Sequence, residues 1–357
     1  MTDDGRRRME NWGLTGHEWA VQMLKQHVVN NSVRHAYLFC GPPGVGRRTL
    51  ALRLVQALNC PQPVAAGEPC GKCRTCKQIE RVQYADLAVI QADKEGGVLK
   101  IEQIRTVTTS LILTPYQGRY RVALFLRFQE ANENAQNALL KTLEEAPPKA
   151  VLILTADTPE QLLPTIVSRC DILRLRPVTV ETVEACLKER GADETNARLL
   201  ARISGGRPGY ALRLMQDEGA LAFRKQRLED LQDLLKSNRR GRFAYADKLT
   251  RRKRGAGERS TEEGEEAENK IEAHERFRNT LQVWLSFWRD VMLRVSGSET
   301  PLANIDCSAE IEELAGKLSL DEAHRLVEAA EDAIEKLEHN INARLLAEVL
   351  LLDWPKL

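Results

Sequence analysis

Four cysteines, Cys60, Cys70, Cys73 and Cys76, fall within 17 residues with the spacing C-x9-C-x2-C-x2-C. Four thiolates with short inner spacing suit a closed tetrahedral zinc site, and a closed site has no open position for substrate, so it reads as structural. Gly67 and Gly71 supply the turns. An iron–sulfur cluster is the main rival, but the further cysteine three residues on, followed by proline, is missing. Disulfides or free thiols are the remaining alternatives; in a reducing compartment a cysteine cluster favours metal.

The second chemical cluster is Gly41-Pro42-Pro43-Gly44-Val45-Gly46-Arg47-Arg48-Thr49, placed between a candidate strand and a candidate helix. In that context glycines let backbone N–H groups turn around phosphate oxygens at a helix N-terminus. A working phosphate loop then needs Lys followed by Ser or Thr. Arg47 keeps the charge without the compact ammonium, and Arg48 puts a cation where a hydroxyl would meet Mg²⁺. Thr49 stands one residue late, about 100° further round the helix. The acids that should end a nearby strand are also missing: Arg121–Phe125 is followed by Leu126-Arg127. Autonomous ATP hydrolysis is therefore not expected. Nucleotide binding without turnover stays open, as does a plain βαβ unit with a Gly-Pro turn.

Positioning these groups requires a sheet. From Arg34 to Leu175 short apolar runs alternate with amphipathic stretches, the pattern of a parallel sheet with crossover helices. Five strands are expected at Ala36–Cys40, Leu87–Gln91, Arg121–Leu126, Val151–Thr155 and Asp171–Leu175, with helices at Arg47–Leu58, Ile101–Leu111 and Ala131–Glu145. Thr179 can cap the next helix, and a small helical unit, broken at Gly205-Gly206 and Pro208-Gly209, should run to about Met215. Beyond Asp217 only helical stretches follow, Phe277–Val295 and Asp321–Leu352 among them. The expected domains are 1–178, an α/β domain with the cysteine insertion at 60–76, then a helical lid at 179–216 and an all-helical domain at 217–357. Within the last, 251–270 has six basic and six acidic residues and little apolar content, and a mobile loop is expected there.

With 357 residues the chain is long enough for two or three cores. The net charge of +1 gives no global attraction to nucleic acid or an anionic membrane, so any basic surface must be local. No apolar run is long enough for a bilayer helix, and the opening MTDDGRRRMENWG lacks the apolar core of a signal peptide, which leads to the expectation of a soluble, cytoplasmic protein without membrane contact. Arg239, Arg240, Arg242, Lys248 and Arg251–Arg254 form a basic run that reads as a solvated helix face, with a phosphate-contacting patch as the alternative. His17 and His35 are placed near the loop as structural residues. Cys40, Cys186 and Cys307 read as small core residues.

Three segments carry a family resemblance: His35-Ala36-Tyr37-Leu38-Phe39-Cys40-Gly41-Pro42, Asn137-Ala138-Leu139-Leu140-Lys141-Thr142-Leu143-Glu144-Glu145 and Ser168-Arg169-Cys170. They resemble the bacterial DNA polymerase III clamp-loader subunits of the AAA+ class, in order through roughly the first 215 residues, fading in the helical third. The resemblance implies an AAA+ P-loop-type five-stranded parallel sheet, a small helical lid and a C-terminal helical collar. It implies motor partners of the gamma or tau type, a delta subunit, and, through the assembly, a sliding clamp and primed DNA. Motor members keep Lys-Thr and Asp-Glu; the delta-prime type typically has a degraded nucleotide site and retains Ser-Arg-Cys, as here. Motor members also place a nucleotide-sensing arginine where Gly209 aligns. The family carries a zinc module in this insertion too.

By spacing alone, Arg169 reads as a solvated or salt-bridged side chain at the rim of the domain. The resemblance makes it an arginine finger offered to a neighbouring subunit's ATP, with Ser168 and Cys170 as its motif. The alternatives are an ATP-hydrolysing gamma/tau-type motor and a zinc-containing nucleic-acid-binding module.

Overall fold

The computed structural model describes residues 11–93, 97–250, 263–338 and 342–356. Two compact units result: one holds Met1–Asp193 and Ser204–Leu212, the other Glu194–Ile203 and Arg213–Leu357.

The first unit begins with α1 (Glu18–Val29) and continues with β1 (Ala36–Cys40), α2 (Arg47–Asn59), α3 (Arg74–Glu80), β2 (Leu87–Ile90), α4 (Ile101–Leu111), β3 (Arg121–Phe125), α5 (Glu133–Glu144), β4 (Ala150–Ala156), α6 (Pro164–Val167), β5 (Asp171–Arg174) and α7 (Val180–Glu189). All five strands pair in parallel in the order β2-β3-β4-β1-β5. Ala36 lies opposite Leu152 and Tyr37 opposite Asp171, so β1 is sandwiched between β4 and β5. Every residue of β1 and β4 is buried, as continuous apolar runs are when helices cover both faces of a parallel sheet. Alternate side chains serve opposite cores: Tyr37, Phe39 and Ile153 pack with Leu50 and Leu54 of α2, while Leu38, Leu152 and Leu154 pack with Ile104 of α4 and Leu139 of α5. The expected strands and helices are present, β1 and α4 with the expected bounds and the others shifted at one or both ends by one or two residues; Asn132 caps α5 by accepting from the Ala135 N–H, so that helix starts later than its apolar pattern.

Thr179 caps α7 through the Thr182 N–H. Gly205-Gly206 separate α8 (Glu194–Ser204) from α9 (Pro208–Gln216). Pro208 and Gly209 open α9 instead of breaking a helix, proline being pre-set for the first helical position.

The second unit is helical: α10 (Glu218–Lys236), α11 (Arg239–Thr250), α12 (Glu263–Val295), α13 (Ser308–Ala315), α14 (Leu320–Glu338) and α15 (Ala343–Leu352). Trp354 meets Trp284 and Trp288 edge to face at 4.9 and 5.6 Å, at the centre of a core that includes Phe277, Leu281 and Leu231. The stretch Asp321–Leu352 is two helices, because Asn342 starts the second by accepting from the Arg344 and Leu345 N–H groups. Of the charged stretch 251–270, residues 251–262 lie outside the described residues and the backbone is helical from Glu263.

Arg242 corrects the reading of the basic run as a solvated face. It is 4% exposed, and its guanidinium donates to the carbonyls of Leu234, Leu351, Trp354 and Pro355, fastening the chain end to α11. Arg239, Arg240 and Lys248 are exposed; Arg251–Arg254 lie outside the described residues. Cys40 and Cys186 are buried as expected, and Cys307 is half-buried.

Candidate functional site

Because β4 lies beside β1, the loop after β1 and the end of β4 meet at the carboxyl ends of the central strands, where open α/β sheets place ligands. Gly41, Gly44 and Gly46 have φ of 147°, 85° and 117°, and a Cβ at Gly41 would lie 2.3 Å from the Leu175 carbonyl oxygen. The loop therefore has the glycine-dependent backbone that its sequence suggests.

Its surroundings hold it closed on protein groups. The Gly209 N–H donates to the Gly44 carbonyl at 2.8 Å, and a Cβ at Gly209 would lie 2.9 Å from that oxygen. No larger residue fits at the position aligned with the motor arginine unless the loop shifts. Arg207 turns elsewhere, donating to the Ser204 carbonyl and covering the Tyr210 ring at 4.6 Å. On another side, buried His17 lies with Nε2 3.0 Å from the Val45 carbonyl oxygen; burial lowers its pKa, and the neutral ring donates there. His35, in contrast, is exposed at the start of β1, the end of the strand away from the loop.

Arg47 is 8% exposed, and its Nη2 lies 2.8 Å from Asp157 Oδ1, just beyond β4. The cation in the lysine's place is thus paired inside the domain. Arg48 and Thr49 are exposed. Where acids would hold Mg²⁺, Leu126 is buried and Arg127, with φ of 49°, takes Thr155 Oγ1 on its N–H and pairs with Glu130 at 2.7 Å. This donor set does not fit a hydrolysed nucleotide: it has neither a carboxylate at 126–127 nor a hydroxyl at position 48.

Arg169 follows α6, a single turn that opens with Pro164. Its side chain is 33% exposed and is braced at the surface by Nη1 to the Thr165 carbonyl at 2.9 Å and Nη2 to Glu144 Oε1 at 2.6 Å; Glu144 itself is 50% exposed. The guanidinium is therefore oriented but not sunk into the core. Ser168 Oγ donates to the Thr165 carbonyl. Burial pushes the Cys170 thiol up to about 12, which keeps it protonated and inert as a nucleophile.

The four cysteine sulfurs come together, all within 4.8 Å of one another. Cys60 Sγ lies 3.6 Å from Cys70 Sγ and 4.0 Å from Cys73 Sγ, and Cys70 Sγ lies 4.0 Å from Cys76 Sγ. A tetrahedral ion with metal–sulfur bonds of about 2.3 Å requires sulfur separations of about 3.8 Å, so the cluster fits a metal. Backbone N–H groups of Cys70, Cys73 and Cys76 point at Cys60, Cys70 and Cys73 sulfurs. Burial pushes the Cys76 and Cys60 thiols up. Burial acts upward on Cys70 as well and is the largest single influence, but hydrogen bonds from the Cys73 and Lys72 N–H groups and from the Cys73 and Cys60 thiols together bring this thiol down to about 7.

Asp157, Glu144 and Glu130 are the partners that sequence reasoning missed. Asp157 had one usable signal, a carboxylate directly after a strand of a parallel sheet that is apolar but for Thr155.

Residues 16–179 match the family model described as DNA polymerase III, delta subunit, and residues 269–356 match the one described as DNA polymerase III, delta subunit, C terminal. The chain is similar to DNA polymerase III subunit delta' of Pseudomonas aeruginosa, 36% identical over 57% of this chain and 62% of that protein. It is similar to DNA polymerase III subunit tau of Escherichia coli, 34% identical over 56% of this chain and 32% of that one. With subunit delta' of Bacillus subtilis it shares 32% identity over 52% of this chain and 55% of the relative. In each case the match spans less than two thirds of the relative. A solved DNA polymerase III gamma subunit-related protein from Thermotoga maritima is similar at a TM-score of 0.42 and 18% identity, over 93% of this chain and 97% of that one.

Proposed function

The chain belongs to the clamp-loader-type DNA polymerase III subunit family, and from that premise we propose that it is a delta-prime-type subunit, a stator that lends Arg169 to a neighbouring ATPase. The observation that carries this is the Arg47–Asp157 pair: the loop's own cation is committed inside the domain, while Arg169 stands at the surface with one exposed carboxylate to release. Phosphoryl transfer builds negative charge on the γ-phosphate oxygens of the neighbour's nucleotide, and a permanently protonated guanidinium fork stabilises it.

In this scheme residues 1–178 form the AAA+-type base, 179–216 the lid and 217–357 the collar that joins gamma- or tau-type motors and a delta subunit. Through the assembly the chain serves the loading of a sliding clamp on primed DNA, in the cytoplasm. No described helix is long and apolar enough to cross a membrane. The four sulfurs would hold structural Zn²⁺, which supplies a rigid cross-link to an insertion too small for its own core. The test is ATP turnover by the purified chain, by the motor subunits, and by both together. Stimulation that requires Arg169 supports the proposal; turnover by the chain alone at a motor's rate overturns it.

A further inference from the structure

The cysteine insertion has a second feature that its sulfurs do not use. A groove of about 360 Å³ is lined by Lys72, Arg74, Lys77, Gln78, Arg81 and Gln83. Arg74, Lys77 and Arg81 are spaced i, i+3, i+7 along α3 and its C-cap, which stacks them on one face. The chain then turns sharply: Val82 has φ of 58°, and the Gln83 N–H donates to the Gln78 carbonyl at 2.8 Å, so Gln83 folds back to the helix end and lines the groove.

All four cations are exposed, and none has an ion-pair partner among the described residues. The two acids nearest in sequence pair with other cations: Glu68 lies 2.7 Å from Lys25, and Glu80 lies 3.5 Å from Arg53. A helix C-terminus favours a nearby cation, which accounts for Arg81 and Lys77 but not for four positive charges around one groove. Convergent like charges repel, and a bound polyanion relieves that repulsion.

The lining also selects among polyanions. It contains only cations and amides, the donors that phosphate contacts use. No aromatic or aliphatic side chain is present to anchor a protein partner or to stack on a base. We propose that this groove binds the phosphodiester backbone of nucleic acid without reading its sequence.

The test is fluorescence anisotropy of the full-length protein with labelled duplex DNA of about 30 base pairs, titrated between about 50 and 200 mM salt. If the groove neutralises four phosphates, affinity falls about 10²-fold across that range. With Lys72→Gln, Arg74→Gln, Lys77→Gln and Arg81→Gln combined, the slope of log affinity against log salt should shrink by about 3 to 4; Lys77→Gln alone should reduce it by about 0.9. Circular dichroism and metal content, equal to the parent protein's, establish that the variants are folded. Unchanged affinity and slope in the combined variant would overturn the site. So would binding of inorganic polyphosphate, or of a poly-glutamate peptide, in place of DNA.

Discussion

Arg47 and Asp157, the first turn of α2 and the residue beyond β4, form an ion pair at 2.8 Å with side chains only 9% and 17% exposed. The pair occupies the place where a phosphate loop would present its lysine to a nucleotide. Freeing the guanidinium for a phosphate means breaking a largely buried pair, which costs about 3 to 5 kcal/mol when one partner is simply removed. Together with the Gly209 and His17 contacts to the loop carbonyls, this pair keeps the loop folded on the protein's own groups.

Restoring the loop's sequence should not restore catalysis. Arg47→Lys combined with Arg48→Thr recreates the lysine and hydroxyl but leaves Leu126 and Arg127 where magnesium-holding acids belong. Phosphate release by this variant should stay at the background of the parent chain. Turnover on the order of 1 s⁻¹ or faster, within the usual enzyme range, would show that those acids are dispensable.

Arg169→Ala should lower ATP hydrolysis at the facing motor site by about 10³-fold or more, with Arg169→Lys also defective because an ammonium cannot bridge two oxygens as a fork does. The Arg169–Glu144 pair is exposed, so its loss should change stability by less than about 1 kcal/mol. Urea unfolding of the chain alone and steady-state ATPase of the assembly separate the two effects; an unchanged assembly ATPase removes the finger role.

Elemental analysis of purified protein should find about one zinc per chain. Cys70→Ser or Cys76→Ser should reduce it, and chelation should speed tryptic cleavage after the already exposed Arg74 and Lys77, because the backbone of the insertion has little else to hold it. Absence of zinc, with iron and labile sulfide in its place, would favour the cluster alternative.

His17 should give the fold an acid-sensitive limb. Burial lowers its pKa from 6.5, so the folded state holds it neutral while the unfolded chain takes up a proton. Its contribution is fully present above pH 6.5 and is lost as the pH falls towards the lowered folded value. His17→Gln, which keeps a donor for the Val45 carbonyl, should flatten thermal stability between pH 7 and pH 5. An identical pH profile in parent and variant would assign the limb to other groups.

Much of this was legible in the sequence because it depends on neighbours along the chain. Apolar runs bounded by turns located all five strands, the glycine spacing located the loop, and the cysteine spacing located the metal-capable cluster. The missing lysine and acids are plain in the residue types at positions 47, 48, 126 and 127. Arg242 was misread because its basic neighbours on α11 are solvated and only the returning C-terminal carbonyls bury it.

What only the tertiary structure decided are the pairings between distant segments. Strand order places β4 beside β1 and so brings Asp157 to Arg47; helix packing brings Glu144 to Arg169; the fold-back after α7 sets Gly209 on Gly44. Composition and periodicity report which face of an element is apolar. The partner that a charged side chain meets is fixed by which elements pack side by side, and a single sequence does not encode that locally.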